Sequence, residues 1–174
     1  PLDASGYFLG SFSLMLNPYA LLIGLLSLAV LAWHGCNLVR TKAEGALEER
    51  ARSWSRALWW GALLLAVPAT VATLWLRRGT LNNFLIHPAG FVFPLLAGLG
   101  FGLARSRRDS RAFAGSSLVI AGLLFSAALP LYPVLLPSTV AAAYNLTIGT
   151  AAAGAAALLV AWLANVIALV GVAF

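Results

Sequence analysis

Charged residues are scarce in this sequence. Asp, Glu, Lys and Arg make up only 9% of its 174 residues, whereas 61% are hydrophobic. A soluble domain carries charge on about a quarter of its residues. This composition excludes an ordinary soluble domain and requires that lipid cover much of the exterior.

Cysteine is almost absent as well. A single cysteine, Cys36, excludes a disulfide framework and a cysteine metal cluster, and its apolar surroundings indicate a packing residue. No basic segment leads into a short apolar core at the start of the sequence, so we predict no signal peptide. Because the sequence starts at Pro1 rather than Met, we expect it to be part of a longer chain.

The net charge of +6 raises the question of whether the protein binds nucleic acid. However, the basic residues cluster in short loops between apolar runs, and no basic face is interleaved with aromatic side chains. Loop clusters of Lys and Arg are typical of membrane topology. We therefore predict a membrane protein that binds no nucleic acid.

The apolar runs are long enough to cross a membrane. An α-helix rises about 1.5 Å per residue, so about 20 apolar residues span the hydrocarbon layer. Asn17 and Pro18 suit the N-cap and first turn of the first helix. The first seventeen residues indicate an interfacial or extramembrane approach to it. The sequence predicts an all-α fold, a polytopic transmembrane helix bundle forming a single membrane domain, with five spans near residues 18–39, 57–76, 88–104, 112–132 and 150–174.

The distribution of Lys and Arg predicts an orientation. None precedes the first span, five lie in the first loop, two in the second, four in the third and none in the fourth. Because positive residues favour the cytoplasmic side, the first and third loops are predicted to be cytoplasmic. The N-terminal segment then lies outside and the C-terminus inside. Four tryptophans near the ends of the second span are expected to anchor it at the interfaces: Trp54, Trp59, Trp60 and Trp75.

The predicted spans contain no Asp, Glu, Lys or Arg. Charges within the membrane mark ion paths and proton relays, so their absence argues against an autonomous pump or ion-coupled carrier. The sequence also offers no credible metal set and no pairing of a nucleophile with a base. We predict no catalytic, cofactor-binding or metal-binding residues in this chain.

Two histidines are the candidate haem ligands. His34 lies near the cytoplasmic end of the first span and His87 at the outer mouth of the third, about 20 Å or more apart by helical rise. One haem iron cannot bind both. We predict that His34 bonds within the helix bundle and that His87 begins a turn or helix before Pro88. His34 as a lone axial ligand is the alternative.

Small residues and prolines within the spans bear on helix packing. Gly98 and Gly102 form one pair spaced by four residues, and such pairs allow helices to approach closely, in this chain or in another subunit. Ala153 and Ala157 form a second pair. Two prolines are expected to kink their spans, and three others predict an irregular fourth connection: Pro68 and Pro94, then Pro130, Pro133 and Pro137.

The first loop, residues 40–56, holds half of all charged residues. Glu48 and Arg52 are spaced i, i+4 with the acid first, which is the favourable order on a helix. Residues 46–54 are therefore predicted to extend the second span as a helix. The simplest interpretation of the loop is a solvated segment that only sets topology. The functional alternatives are a docking surface and a contact with anionic lipid.

Several motifs occur in a fixed order along the chain. LNPYALL begins at Leu16, HG follows at His34, RTKAEGALEERAR begins at Arg40 and YPVLLPSTVAAAYNLTI begins at Tyr132. This order resembles subunit II of cytochrome bd-type quinol oxidases, where an LNP-[FY]-xLL run opens a span that ends at a small-residue step before a [KR]TxGEL-xxRxR loop. The family's outer loop reads FPxVxPS and then xxLTI. The resemblance covers nearly the whole chain, but only the C-terminal part of a family member.

The resemblance implies a subunit of a respiratory terminal oxidase in a prokaryotic cytoplasmic membrane, which oxidises quinol and reduces oxygen to water. It implies that haem b, haem d and the quinol-oxidation site belong to the partner, subunit I, and that this chain supports that partner without binding haem. Membrane lipid, a structural quinone and small accessory subunits are further expected partners. The alternatives are half of a secondary transporter, with a midplane site at broken helices, and a haem-b electron carrier that uses His34.

Overall fold

The computed structural model describes residues 16–76, 79–136 and 142–173, which are mostly helical. The chain divides into two compact units, the first ending at Leu131 and the second beginning at Tyr132. Of the seventeen residues predicted to form an interfacial or extramembrane approach, the first fifteen fall outside the described ranges, as do Arg77 and Arg78. Five α-helices are described in the first unit: α1 Pro18–Lys42, α2 Ala46–Leu76, α3 Gly79–Ile86, α4 Val92–Leu103 and α5 Asp109–Ala128.

Helix α1 begins as the sequence predicts. The Asn17 side chain accepts a hydrogen bond of 2.7 Å from the backbone N–H of Ala20. Pro18 occupies the first turn, where its missing N–H forfeits no helical hydrogen bond. The predicted N-cap is therefore confirmed.

A tight turn joins α1 to α2. Gly45 has a φ of +66°, a left-handed conformation that strains residues with a Cβ. Its carbonyl accepts from the N–H of Glu49, so α2 begins directly after the turn. Helix α2 then continues through Pro68 to Leu76. The predicted helical extension over residues 46–54 is confirmed, because it and the predicted second span form one helix.

Helices α1 and α2 form an antiparallel hairpin that is fastened at both ends. Far from the turn, the Tyr19 hydroxyl lies 2.9 Å from Thr73 Oγ1. Near the turn, the Ser55 hydroxyl donates to Asn37 Oδ1 at 2.7 Å. We call the end of the first unit near the α1–α2 turn the loop end.

Helices α4 and α5 pack together over small residues, which we call the glycine seam: Gly100, Gly115 and Gly122. A Cβ placed on Gly115 would lie 2.5 Å from the backbone nitrogen of Ala104, so the helices approach too closely for any side chain. The pair selected from the sequence, Gly98 and Gly102, has nothing within 4 Å of a built Cβ. That pair makes no close approach within the first unit, and its contact with another subunit stays a prediction.

The core of the first unit lies where α1, α2, α4 and α5 meet. Trp33 is fully buried and stacks on Phe101 with 5.4 Å between ring centroids. Val119 and Ala62 are also inaccessible, and they bring α5 and α2 to the same cluster. Outside this core, large apolar side chains face outward, and Leu64 is 76% exposed. Such a surface suits lipid rather than water.

Three described helices are long and apolar enough to cross a membrane: Pro18–Lys42, Ala46–Leu76 and Asp109–Leu131. Two shorter apolar helices cover Pro88–Leu103 and Ala155–Ala168. The 12 residues of α4 correspond to about 18 Å, less than the hydrocarbon thickness of about 30 Å. The helical class is confirmed, and the count of five spans stays a prediction.

Two of the predicted continuous spans are interrupted. The third divides into a 3₁₀ turn at Pro88–Phe91 and then α4, which places Pro94 in the first turn of α4. Because an N–H in that position has no intrahelical acceptor, Pro94 removes no hydrogen bond from α4. The other interruption lies in the second unit, where residues 152–154 separate two helices.

The second unit contains a pair of short antiparallel strands within the part of the chain described. Strand β1, Val134–Leu136, pairs with β2, Leu146–Thr147. The N–H of Ile148 also donates to the Pro133 carbonyl. The sequence predicted an irregular segment here and missed this pairing; its prediction for Pro137 falls outside the described residues.

Two helices follow the strands. Helix α6, Ile148–Ala151, starts at a capping box in which Thr147 and Thr150 exchange backbone and side-chain hydrogen bonds. Helix α7, Ala155–Ala173, follows the break at residues 152–154. The predicted span near 150–174 thus consists of a helical turn, a break and a longer apolar helix.

Candidate functional site

The polar side chains of the first unit concentrate at the loop end. Asparagine, serine, arginine and carboxylate groups from α1, α2 and α5 meet there in what we call the polar network: Asn37, Arg40, Glu48, Arg52, Ser55 and Asp109. Three of these groups, Asn37, Arg40 and Ser55, are buried. The network is therefore a junction between three helices with a buried centre and partly exposed carboxylates and Arg52 around it.

Arg40 is the centre of the network. Its side chain is only 5% exposed, and its Nη2 lies 2.6 Å from Asp109 Oδ1. Its Nε donates to the same carboxylate oxygen at 2.9 Å. Burial of a guanidinium is costly unless a carboxylate and further hydrogen bonds compensate it. The pair joins the last turn of α1 to the first turn of α5.

Asn37 and Ser55 complete the surroundings of Arg40. Its Nη1 donates to Asn37 Oδ1 at 3.1 Å and to Ser55 Oγ at 3.3 Å. Asn37 lies one turn before Arg40 on α1, whereas Ser55 lies on α2. The guanidinium therefore holds all three helices at one point.

Arg52 binds the second oxygen of Asp109. Its Nη2 lies 3.0 Å from Asp109 Oδ2 and 2.6 Å from Glu48 Oε1. The Glu48–Arg52 pair predicted from the i, i+4 spacing is confirmed. Asp109 also lies in the first turn of α5, where a negative charge is favourable near the positive helix end. The Asp109 carboxylate thus bridges two arginines from two helices, and Glu48 supplies the second negative charge that balances them.

The interpretation of residues 40–56 as a solvated topology loop is wrong for Arg40. The sequence counts it with the loop cations, but it belongs to the last turn of α1 and is buried against Asp109. The missed signal is the set of polar residues beside apolar runs, Asn37 and Ser55, together with Asp109, the single acid of the third loop. Their spacing on separate helices gives no indication of which ones meet.

His34 lies beside the network and bonds within the helix bundle. Its Nδ1 is 2.9 Å from Ser116 Oγ, and its ring stacks on Phe113 with 4.8 Å between centroids. The structure therefore agrees with the predicted role of His34 as a polar residue of the bundle. His87 precedes the 3₁₀ turn as its N-cap residue, and its carbonyl accepts from the N–H of Gly90.

These positions do not fit a haem with two histidine ligands. Trp33, the neighbour of His34, stacks on Phe101, which lies fourteen residues after His87 along the 3₁₀ turn and α4. The rise of these helices puts the two histidines about 20 Å apart. Among the described residues no group of three or more His, Cys, Asp or Glu is placed to hold a metal ion.

Two buried donors near the network have no acceptor in the parts of the chain that the structure describes. They are Trp33 Nε1 and Asn37 Nδ2, which lie one turn apart on α1. Both residues are inaccessible to solvent. Buried donors of this kind are commonly satisfied by an internal water.

Aromatic residues join α2 to the end of α4. Trp59 Nε1 donates to the carbonyl of Phe101 at 3.0 Å, which satisfies one of the terminal carbonyls of α4. The guanidinium of Arg105 lies 5.0 Å from the Trp59 ring centroid. Trp59 therefore packs within the unit, whereas three other tryptophans predicted as interfacial anchors are exposed: Trp54, Trp60 and Trp75.

Comparison with known proteins gives one consistent result. The family described as cytochrome bd terminal oxidase subunit II matches residues 1–174. A probable cytochrome oxidase subunit 2 of Haemophilus influenzae is 29% identical over 162 residues, covering 75% of this chain and 42% of that protein. The cytochrome bd-I ubiquinol oxidase subunit 2 of Escherichia coli K12 is 25% identical over 169 residues, covering 76% and 43%. The chain spans less than half the length of these relatives.

Proposed function

The chain belongs to the cytochrome bd terminal oxidase subunit II family, and from this membership we propose that it serves as the non-haem subunit of a membrane oxidase that oxidises quinol and reduces oxygen to water. This proposal rests on the family match over residues 1–174. The partner would be subunit I, with haem b, haem d and the quinol-oxidation site. This chain would contribute helices and an interface.

The polar network supports a structural role for this chain. The charges of Arg40 and Arg52 are balanced by Asp109 and Glu48, and Asn37 and Ser55 accept further hydrogen bonds from Arg40. Groups that are paired in this way stabilise a helix junction and are not free to exchange protons with a substrate. We assign no catalytic residue, no cofactor ligand and no metal ligand to this chain.

The proposed topology has five spans, with the N-terminal segment outside and the C-terminus in the cytoplasm of a prokaryote. The alternation of Lys and Arg between loops supports this orientation. The short helix α4 would cross together with the 3₁₀ turn before it. A structural quinone and small accessory subunits belong to the proposal without an assigned position.

The two alternative functions gain no support. The transporter alternative rested on helices broken at Pro68 and Pro94, yet α2 is continuous through Pro68, and Pro94 lies in the first turn of α4. A haem-b carrier would need a second axial ligand near His34, and the other histidine of the sequence, His87, lies about 20 Å from it by helical rise.

The test is to purify the full-length subunit with its partners and to record reduced-minus-oxidised spectra. We expect haem b and haem d bands that accompany the larger partner, with unchanged intensity per complex in His34→Ala. His87→Ala serves as the matched histidine control. A haem b band that stays with this subunit after separation and disappears only in His34→Ala would contradict the proposal.

A further inference from the structure

A shallow apolar groove runs along the α1–α2 hairpin, on a face distinct from the polar network. It has a volume of about 450 Å³ and lies between one wall from α1 and one from α2. Gly35, Cys36 and Val39 form part of the first wall, and Ala51 and Trp54 form part of the second. Arg50 is the one charged residue that lines it.

Arg50 differs from the network arginines in its surroundings. Arg40 and Arg52 are paired with Asp109 and Glu48, whereas Arg50 has no ion pair among the residues that the structure describes. The carboxylate of the adjacent Glu49 does not line the groove, because neighbouring residues on a helix point about 100° apart. The groove therefore offers one exposed, unneutralised cation beside an apolar floor.

Along the hairpin, Arg50 lies near the turn together with Leu47 and Val39, and the rest of the apolar lining lies farther from the turn. Arg50 lies five residues after Gly45 and therefore about 7 Å from the turn. The apolar walls continue deeper, to Trp54 on α2, about 14 Å from the turn, and to Ala32 on α1, about 15 Å from the last residue of that helix. A charged group would thus sit near the membrane surface and a hydrocarbon chain would extend toward the membrane interior.

We propose that this groove binds one anionic phospholipid, with its phosphate on Arg50 and an acyl chain along Gly35 and Cys36. The positive end, the apolar floor and the exposed Trp54, a residue type enriched at membrane interfaces, each suit this ligand. The proposal needs a membrane location but not the oxidase function, and its test measures binding rather than quinol oxidation.

Cys36 provides a reporter, because it is the single cysteine of the sequence and lines the groove. The purified full-length complex is placed in nanodiscs of phosphatidylcholine with increasing phosphatidylglycerol. The rate of Cys36 alkylation by N-ethylmaleimide is then followed by peptide mass spectrometry. We expect phosphatidylglycerol to slow the alkylation.

Arg50→Gln should raise the phosphatidylglycerol fraction that gives half-protection by about fivefold, the effect of one basic residue near an anionic surface. Arg56→Gln is the matched control, because Arg56 is exposed on the same helix but does not line the groove. Equal protection in these two variants would overturn the proposal. So would equal protection by pure phosphatidylcholine, or by inorganic phosphate added to phosphatidylcholine nanodiscs.

A second variant tests the hydrocarbon part of the site. Gly35→Leu fills the groove, and a Cβ on Gly35 meets nothing within 4 Å, so the change is compatible with the fold. Gly24→Leu is the control, because Gly24 has the same open space on the same helix and does not line the groove. Native mass spectrometry should show less retained phosphatidylglycerol in Gly35→Leu only, and equal retention would contradict an acyl chain in the groove.

Discussion

The polar network and the glycine seam hold helices together in different ways. At the loop end, charged and polar groups from α1, α2 and α5 pair around Arg40. Between α4 and α5, backbones touch directly at Gly100, Gly115 and Gly122. Lipid tails are as apolar as the helix surfaces, so apolar burial alone drives little association in a membrane. Hydrogen bonds in the polar network and close backbone packing in the glycine seam therefore supply the attraction between helices.

The two regions differ in the kind of substitution that they tolerate. A buried ion pair fails when one partner is removed, because the other charge remains buried without compensation. A backbone contact fails when any atom is added, because neither helix can move aside locally. The following substitutions separate these two modes.

The largest effect is expected in the polar network. Asp109→Asn leaves the Arg40 guanidinium, only 5% exposed, without its carboxylate, and we expect a loss of about 3–5 kcal/mol in the free energy of unfolding. Denaturation of the purified complex in mixed micelles measures it. The double variant Arg40→Met with Asp109→Asn should recover much of this loss, because it removes the stranded charge.

Glu48→Gln is the matched control for that prediction. Glu48 is about one-third exposed and makes a single surface pair with Arg52, so its loss should cost less than about 1 kcal/mol. If Asp109→Asn were as mild as Glu48→Gln, the network would be an ordinary surface cluster.

An intermediate effect is expected in the glycine seam. Gly115→Ala adds a Cβ 2.5 Å from the Ala104 nitrogen, and we expect a loss of about 1–3 kcal/mol from overpacking. Gly98→Ala on α4 is the control, because its Cβ meets open space, and it should be neutral or stabilising. The same denaturation assay measures the free energy of unfolding of both variants. Equal losses in Gly115→Ala and Gly98→Ala would refute the close approach at Gly115.

The smallest effect is expected at His34. Ser116→Ala removes the hydroxyl that lies 2.9 Å from His34 Nδ1 and links α5 to α1, at a cost of about 1 kcal/mol. Ser117→Ala removes only a hydroxyl that bonds the Phe113 carbonyl of its own helix, and should have almost no effect. A larger loss in Ser117→Ala than in Ser116→Ala would contradict a structural role for the His34 contact.

Features of the fold that depend on residues close together in the sequence could be predicted. The N-cap at Asn17, the Glu48–Arg52 pair and the helix over residues 46–54 follow from local spacing and were confirmed. The strand pair of the second unit was missed, because strands of three and two residues leave no measurable alternation. The interruption before α4 was missed because residues 88–104 are apolar throughout and resemble one continuous span in composition.

The candidate site was predictable only in part. The sequence marks Arg40 as a loop cation, and local reasoning gives no reason to pair it with Asp109, 69 residues away. It likewise selects Gly98 and Gly102 by their spacing, whereas the close contacts use Gly100 and Gly115. Both outcomes depend on the rotation of each helix about its axis, which spacing alone does not set.

The sequence by itself determined the helical class, the family resemblance that the family match bears out and the cap of the first helix, because these depend on composition, on short motifs and on residues within a few positions. Tertiary structure decided that Arg40 is buried rather than solvated, that His34 bonds Ser116, and that Gly115 rather than Gly98 meets another backbone. The physical reason is that burial and pairing depend on how helices pack against one another, and packing is set by contacts between residues far apart in the chain.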